Sequence, residues 1–280
     1  MNTYIDTETG EILNGILITE EYVAKKQKQN EYLLYQKSQD NLAVYIDDQF
    51  GSFYFNNYKK LLEKVDNDTA LAFRFLYLCT FADYDNYLHD EDGLMSEKDL
   101  GYILKLAPTA FFSLKKQLYD KHLILKDKMG FLKINSLYYT RGKINAGFKQ
   151  ESSRVFDNGI RTLYKTAKSK DHKRIGTIIP LLIYTNSYIN VLCHNTQERD
   201  TDKINALTLH EISEIIGYSY DHVSSLTNYL KNIKVNNKPL MARVTHSDGD
   251  FYIINPAVFY KGNKIDDLIQ IENMFNIKNT

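Results

Sequence analysis

One pattern occurs twice in this chain and limits what it can fold into. Residues 95–118 read MSEKDLGYILKLAPTAFFSLKKQL and residues 207–230 read LTLHEISEIIGYSYDHVSSLTNYL, aligned without a gap at an offset of 112. Ser96 meets Thr208, Asp99 meets Glu211 and Leu100 meets Ile212. Leu104 meets Ile216, Phe111 meets Val223, Leu114 meets Leu226 and Leu118 meets Leu230. Each copy ends on a second match, GFLKINSLYYTRGKI at 130–144 and DFYIINPAVFYKGNKI at 250–265. Self-similarity at a fixed distance signals one supersecondary unit used twice.

Local signals give the unit its shape. Thr208 with Glu211 three residues on is a capping box, and Ser96 with Asp99 is a variant of it, so a helix begins at each. The first of these helices ends near Leu106, and Pro108 suits the first turn of its successor. Gly217 sits where the second copy must stop and turn. The following helices run over roughly 109–121 and 221–233. A hairpin then follows in each copy: ILK (124–126), turn DKMG, FLKI (131–134), and MARVT (241–245), turn HSDG, DFYII (250–254). Gly130 and Gly249 supply the backbone freedom those turns need. This is the pattern of a helix-turn-helix with a β-wing. The expected fold is mainly α with small β-wings, an α+β chain of tandem winged helix-turn-helix domains joined by a basic helix.

The remaining segments complete the expected layout. Residues 3–18 alternate around an acidic turn and read as a hairpin or arm, 20–38 as a polar helix, and 40–64 as aromatic and helical. Together, 1–67 form an N-terminal arm or helical region. The first winged-helix domain spans 68–144, opening with the nearly all-apolar helix TALAFRFLYLCTFA (69–82). Residues 145–173 read as a basic connecting helix. The second domain spans 174–265, its first helix over 174–193 with Pro180 a site for a kink. Residues 266–280 form a C-terminal tail helix.

Helical periodicity assigns faces to the second helix of each pair. Val223, Leu226, Leu230 and Ile233 face inward. Asp221, Ser224, Ser225, Asn228 and Asn232 then face outward, with Tyr220 at the entry. In the first copy Phe111, Leu114 and Leu118 face inward, leaving Thr109, Phe112, Ser113, Lys115 and Lys116 outward or flanking. In a helix-turn-helix the second helix enters the major groove. Asn can pair bidentately with adenine, Ser and Tyr can bond phosphates, and Lys neutralises them. Phe112 suits a thymine methyl or a protein partner. The wings add Lys126 and Lys128 in one copy and Arg243 and His246 in the other. These residues, Asn232 apart, are the candidate DNA contacts; Asp221 counts against the second helix, and Lys115 and Lys116 count for the first.

Composition tempers this reading. The formal net charge is zero, whereas nucleic-acid binders usually carry a basic surplus. The charge is uneven, however. Residues 141–174 hold ten Lys/Arg against Glu151, Asp157 and Asp171, while 83–99 are acidic. The basic run is either a solvated helix face or a phosphate track.

Other function classes find little support. Lys143 follows Gly142, but Leu137 stands where a Walker A loop needs glycine and Ile144 where it needs Ser or Thr. The seven histidines include no His-x-His pair for a metal-dependent nickase. Cys193, His194, Glu198 and Asp200 form the one cluster of potential ligands, and its spacing is not that of a structural zinc site. No catalytic residue, metal or cofactor is expected. Cys79 and Cys193 lack disulfide spacing and fit a reduced, cytoplasmic setting. The longest apolar stretch, near 175–193, is too polar to span a bilayer, so no membrane partner is expected.

The endings INSLYYTRG (134–142) and INPAVFYKG (254–262) resemble the wing end of RepL-type plasmid replication proteins of Firmicutes, and winged helices of Firmicutes phage replisome-organiser and regulatory proteins. The opening IDTETGEIL (5–13) is similar to openings in the same group. NVLCHNTQERD (190–200), followed by LTLHEISEIIGYS (207–219), resembles a block in phage double winged-helix proteins, with Thr196 where proline is expected. The resemblance implies a mobile-element DNA-binding protein. Together with the residue patterns, the expected function is that of a non-enzymatic, sequence-specific double-stranded DNA-binding protein of a phage or plasmid, acting in transcriptional regulation or replication initiation. The alternative is a winged-helix module that docks onto a replication or transcription protein. The expected partners are double-stranded DNA, those proteins, and a second copy of the chain as a homodimer.

Overall fold

The computed structural model describes residues 2–5, 12–15, 20–142, 144, 152–246 and 249–276. The chain mixes helices with small antiparallel sheets. It divides into two compact units, Met1–Val44 and Tyr45–Thr280. In the first, β1 (Asn2–Ile5) pairs with β2 (Ile12–Gly15), so the N-terminal alternation does form a hairpin. Its expected TETG turn lies outside the described residues. Helix α1 (Glu20–Phe50) supplies the rest of that unit's described residues, and its last turns belong to the second.

The second unit opens with β3 (Phe53–Asn56), α2 (Tyr58–Lys64) and α3 (Thr69–Cys79). Asn57 caps α2 by accepting from the Lys60 amide, and Asp68 caps α3 by accepting from Ala70 and Leu71. The apolar run in α3 is a central core helix, with Leu71, Ala72, Phe73, Phe75, Leu76 and Leu78 all buried. Two short strands, β4 (His89–Asp90) and β5 (Gly93–Leu94), lead to α4 (Glu97–Leu104) and α5 (Pro108–Asp120). The hairpin β6 (Ile124–Lys126) and β7 (Leu132–Ile134) follows, then β8 (Tyr139–Thr140). Asp127 closes the hairpin turn by accepting from the Met129 and Phe131 amides.

Three expectations are corrected here. Residues 40–64 were expected to be helical, but β3 interrupts them. The basic connecting helix expected over 145–173 does not form as one element. Residues 145–151 lie outside the described residues, and Ser153–Phe156 is a fully buried strand, β9. Helix α6 (Asp157–Thr166), a 3₁₀ turn (Ser169–Asp171) and α7 (His172–Gly176) come next. The single helix expected over 174–193 is broken into the end of α7, α8 (Ile178–Leu181), a 3₁₀ turn (Leu182–Tyr184) and an extended stretch.

The basic residues of the run 141–174 explain why the connecting helix does not form. Arg154 is buried in β9, its guanidinium over the rings of Phe53, Phe55 and Tyr260 while donating to the Gly262 carbonyl. Arg141 makes a two-pronged pair with buried Asp157, at 2.9 and 3.1 Å. Arg161 donates to the Thr80 carbonyl and lies 4.6 Å from the Phe81 ring centre. A buried arginine needs such compensation. These three cations therefore serve the interior and are not a phosphate track. Lys143 and Lys149 lie outside the described residues.

The second copy continues with α9 (Leu209–Ile215) and α10 (Tyr220–Asn232). A small hairpin, β10 (Lys234–Val235) with β11 (Lys238–Pro239), turns on left-handed Asn236 and Asn237. Then come the longer hairpin β12 (Met241–His246) and β13 (Gly249–Ile254), β14 (Phe259–Tyr260) and α11 (Ile265–Asn276). Most of the expected tail helix is therefore present, and it is anchored: Leu268 and Ile271 are buried, and Glu272 accepts from Lys238 and Tyr45. Residues 277–280 lie outside the described residues.

The repeat extends well beyond the matched sequence. Both copies hold an extended edge segment beside the hairpin, bridged through Tyr87 and Lys133 or Val191 and Ile253. Leu88 donates to Leu132 and Leu192 to Tyr252, while Met95 donates to Leu88 and Leu207 to Leu192, all at 2.8–2.9 Å. Each edge segment follows a left-handed asparagine, Asn86 (φ 67) or Asn190 (φ 55), whose carbonyl accepts from Ile134 or Ile254. The shared IN at the hairpin exit has a matching role. The Asn135 and Asn255 side-chain oxygens accept from the amides two residues on, Leu137 and Ala257. Their amide groups tie the exit to His122 in one copy, and to Val235, Lys238 and Pro239 in the other. The copies meet in one four-stranded sheet, ordered β14-β9-β3-β8.

Candidate nucleic-acid interface

The capping boxes form as expected. The backbone amides of Ser96 and Thr208 donate to Asp99 and Glu211 at 2.7 and 2.8 Å. Those bonds from Thr208, with a further one from His194, pull the Glu211 carboxyl down to about 2. The turn into the second helix passes through a left-handed residue at the same position in each copy, Lys105 (φ 48) and Gly217 (φ 64).

Both second helices bury one face and leave the other open. Leu114 and Leu118 of α5, and Val223, Leu226 and Leu230 of α10, are buried, each worth roughly 1.5–3 kcal/mol of apolar transfer. Phe111 and Ile233 are half-buried. Thr109, Phe112, Ser113 and Lys116 on α5 are exposed, as are Tyr220, Asp221, Ser224, Ser225 and Asn228 on α10. On the hairpins Lys126, Lys128 and Arg243 are exposed. The His246 side chain lies outside the described residues.

Exposure does not mean that the charges are free. Glu97, at the start of α4, accepts from Lys115 (3.2 Å), Lys126 (3.4 Å) and Tyr119 (3.0 Å). Those partners, Tyr119 and Lys115 first, hold its carboxyl below the usual range. One carboxylate thus ties α5 and the hairpin to α4, and Lys115 is half-buried as a result. Lys116 lies 3.8 Å from Asp120, a surface pair of small energetic weight. Arg243 pairs with Asp250 across the β12–β13 hairpin, and Asp250 is lowered chiefly by that bond. Lys115, Lys126 and Arg243 would meet a phosphate only in competition with these carboxylates.

Nothing local in the sequence marks Glu97, because its lysine partners lie 18 and 29 positions away and only the fold brings them together. Nor does anything local mark Tyr102 of α4, which is 81% exposed; Phe112 of α5 is 63% exposed. In the second copy, Tyr220 stands near His210, with ring centres 5.4 Å apart.

Among the described residues, no group of three or more His, Cys, Asp or Glu is placed to hold a metal ion. In the cluster at 193–200, Cys193 is buried, His194 pairs with Glu211 at 2.8 Å, and Glu198 accepts from the amides of its own loop. A cleft of about 350 Å³ is lined in part by Asp83, His89, Arg141 and Asp157. There His89 contacts Asp83 at 2.8 Å and Arg141 is engaged with Asp157, so its charges are already paired. Among the described residues, no helix is long and apolar enough to cross a membrane.

Compared with known proteins, the chain matches no family model, no curated protein and no solved structure.

Proposed function

We propose that this chain is a non-enzymatic, sequence-specific double-stranded DNA-binding protein built from two winged helices. Helices α5 and α10 enter successive major grooves, and the β6–β7 and β12–β13 hairpins lie against the backbone. One observation carries the reading: in both copies the second helix of the pair buries an apolar face and leaves open a face that carries small polar residues, Thr109 and Ser113 beside Phe112 and Lys116 in the first, Ser224, Ser225 and Asn228 beside Tyr220 and Asp221 in the second. Residues of this kind can approach base edges closely. Covalent linkage of the two units raises the effective concentration of the second once the first is bound, which offsets the modest charge of each. One chain also carries the two readers that a homodimer would otherwise supply. The cellular role we propose is transcriptional regulation or replication initiation for a phage or plasmid, in the cytoplasm, in keeping with the resemblance of the two hairpin exits to RepL-type and phage proteins.

A second reading has its own observation. Tyr102 and Phe112 are large, exposed rings on the two helices of the first copy, as a protein-docking surface would have. Capture of sheared source DNA by the purified protein at about 150 mM salt, with sequencing, separates the two, because non-specific phosphate binding is already weakened there. The DNA reading predicts one or few retained loci: repeats beside an origin for initiation, a promoter for regulation. Uniform or absent retention would contradict it and favour protein docking.

A further inference from the structure

The arrangement of the two copies sets how the proposed readers would lie on DNA. The strands that open each copy, β3 and β9, pair with each other in an antiparallel ladder: Phe53↔Phe156, Tyr54↔Val155, Phe55↔Arg154 and Asn56↔Ser153. The closing strands pair with their own openers. Phe55 and Asn56 face Thr140 and Tyr139, as Arg154 and Val155 face Tyr260 and Phe259. Equating Phe55 with Arg154, and Thr140 with Tyr260, superimposes one pair of strands on the other. Under the same equation the β3–β9 ladder maps onto itself, centred on Phe55 and Arg154. It also equates Asn57 with Phe156, the residues that immediately precede α2 and α6.

The helices obey the same relation. Helix α3 in the first copy and the α7–α8 segment in the second hold the same place in the order of elements, and they pack on each other. Contact there is close: the Thr69 hydroxyl donates to the Lys173 carbonyl at 3.0 Å, and a Cβ at Gly176 would fall 2.0 Å from the Thr69 carbonyl oxygen. Equivalent elements thus meet equivalent elements. That is the mark of an isologous, two-fold contact, whereas a head-to-tail tandem would join unlike surfaces.

We infer that this single chain is an internal pseudo-two-fold dimer whose recognition helices α5 and α10 address DNA half-sites in inverted, not direct, orientation. The inference rests on the DNA-binding reading and adds to it the symmetry of the target. The outward residues of α5 and α10 differ, so the two half-sites differ in sequence, and inversion must be read from the protein's placement, not from base composition.

The test uses the full chain and a duplex selected by it from a random-sequence library. Lys98→Cys and His210→Cys place a thiol at matching exposed positions, early in α4 and α9 and outside the candidate contacts. Both native cysteines are buried, which leaves the new thiol as the accessible one. Each variant is coupled to an iron chelate, and the strand cuts are mapped on the selected duplex. Two-fold placement predicts cuts mirrored about the centre of the footprint, both toward the centre or both away from it. Cuts displaced in the same direction along the duplex would overturn the inference and leave DNA binding intact, as would a footprint covering one half-site. Failure of the library to enrich any sequence would overturn both.

Discussion

The two copies share a scaffold and differ in how charge is arranged on it. In the first, Glu97 gathers Lys115 and Lys126 into one cluster spanning α4, α5 and the hairpin. In the second, the helix pair presents serines, Asn228 and Asp221, and the hairpin charge is held by Asp250. The hairpin exits differ in burial as well: Asn255 is fully buried with three carbonyls to satisfy, whereas Asn135 is part-exposed with one. The contrast shows that the repeated residues are those that close turns and fill the core, while the outward faces have diverged. For a DNA reader that is the expected division, since backbone geometry is common to all targets and base contacts are not.

The largest effect is expected where the copies touch. Gly176→Ala puts a methyl group against the Thr69 backbone, which no rotamer change relieves, and should cost roughly 3 kcal/mol of stability in chemical denaturation. Next come the paired asparagines. Asn255→Ala strands buried carbonyls and should cost about 2–3 kcal/mol, whereas Asn135→Ala should cost about 1 kcal/mol; equal losses would break the comparison. The left-handed turn residues differ in sign. Lys105→Gly should stabilise by about 1 kcal/mol and Gly217→Lys should destabilise by a similar amount, measured as opposite shifts in Tm. The smallest effect is on binding. Glu97→Gln releases Lys115 and Lys126 and should tighten DNA binding a few-fold, steepening its salt dependence by roughly one to two counterions.

How much of this was legible depended on whether the signal was local. The capping residues Ser96 and Thr208, Pro108, Gly217 and the apolar spacing on α5 and α10 act within a few residues of themselves, and the helix pairs and hairpins lie where those signals put them. The central sheet is different. FYFN and SRVF are four residues each, and nothing in them outweighs their aromatic or basic surroundings. They are strands because they pair with each other and with β8 and β14, a tertiary cause. Arg154 misled in the same way: a charged residue in a basic run reads as solvated until three aromatic rings and a carbonyl gather around it. The outward position of Ser113, Lys116, Ser225 and Asn228 followed from periodicity. The tethering of Lys115 and Lys126 by Glu97 did not, because it spans separate elements.

The most direct test of the account is the affinity of two double variants for the captured or selected duplex. One carries Ser113→Glu with Lys116→Glu on α5, the other Ser225→Glu with Asn228→Glu on α10. All four positions are exposed, so circular dichroism should match the unaltered protein. If both helices read one duplex, each variant loses at least about ten-fold in affinity, since each places two negative charges against phosphates. If either variant binds as the unaltered chain does, that helix is not a reader; if both do, the DNA-binding account fails.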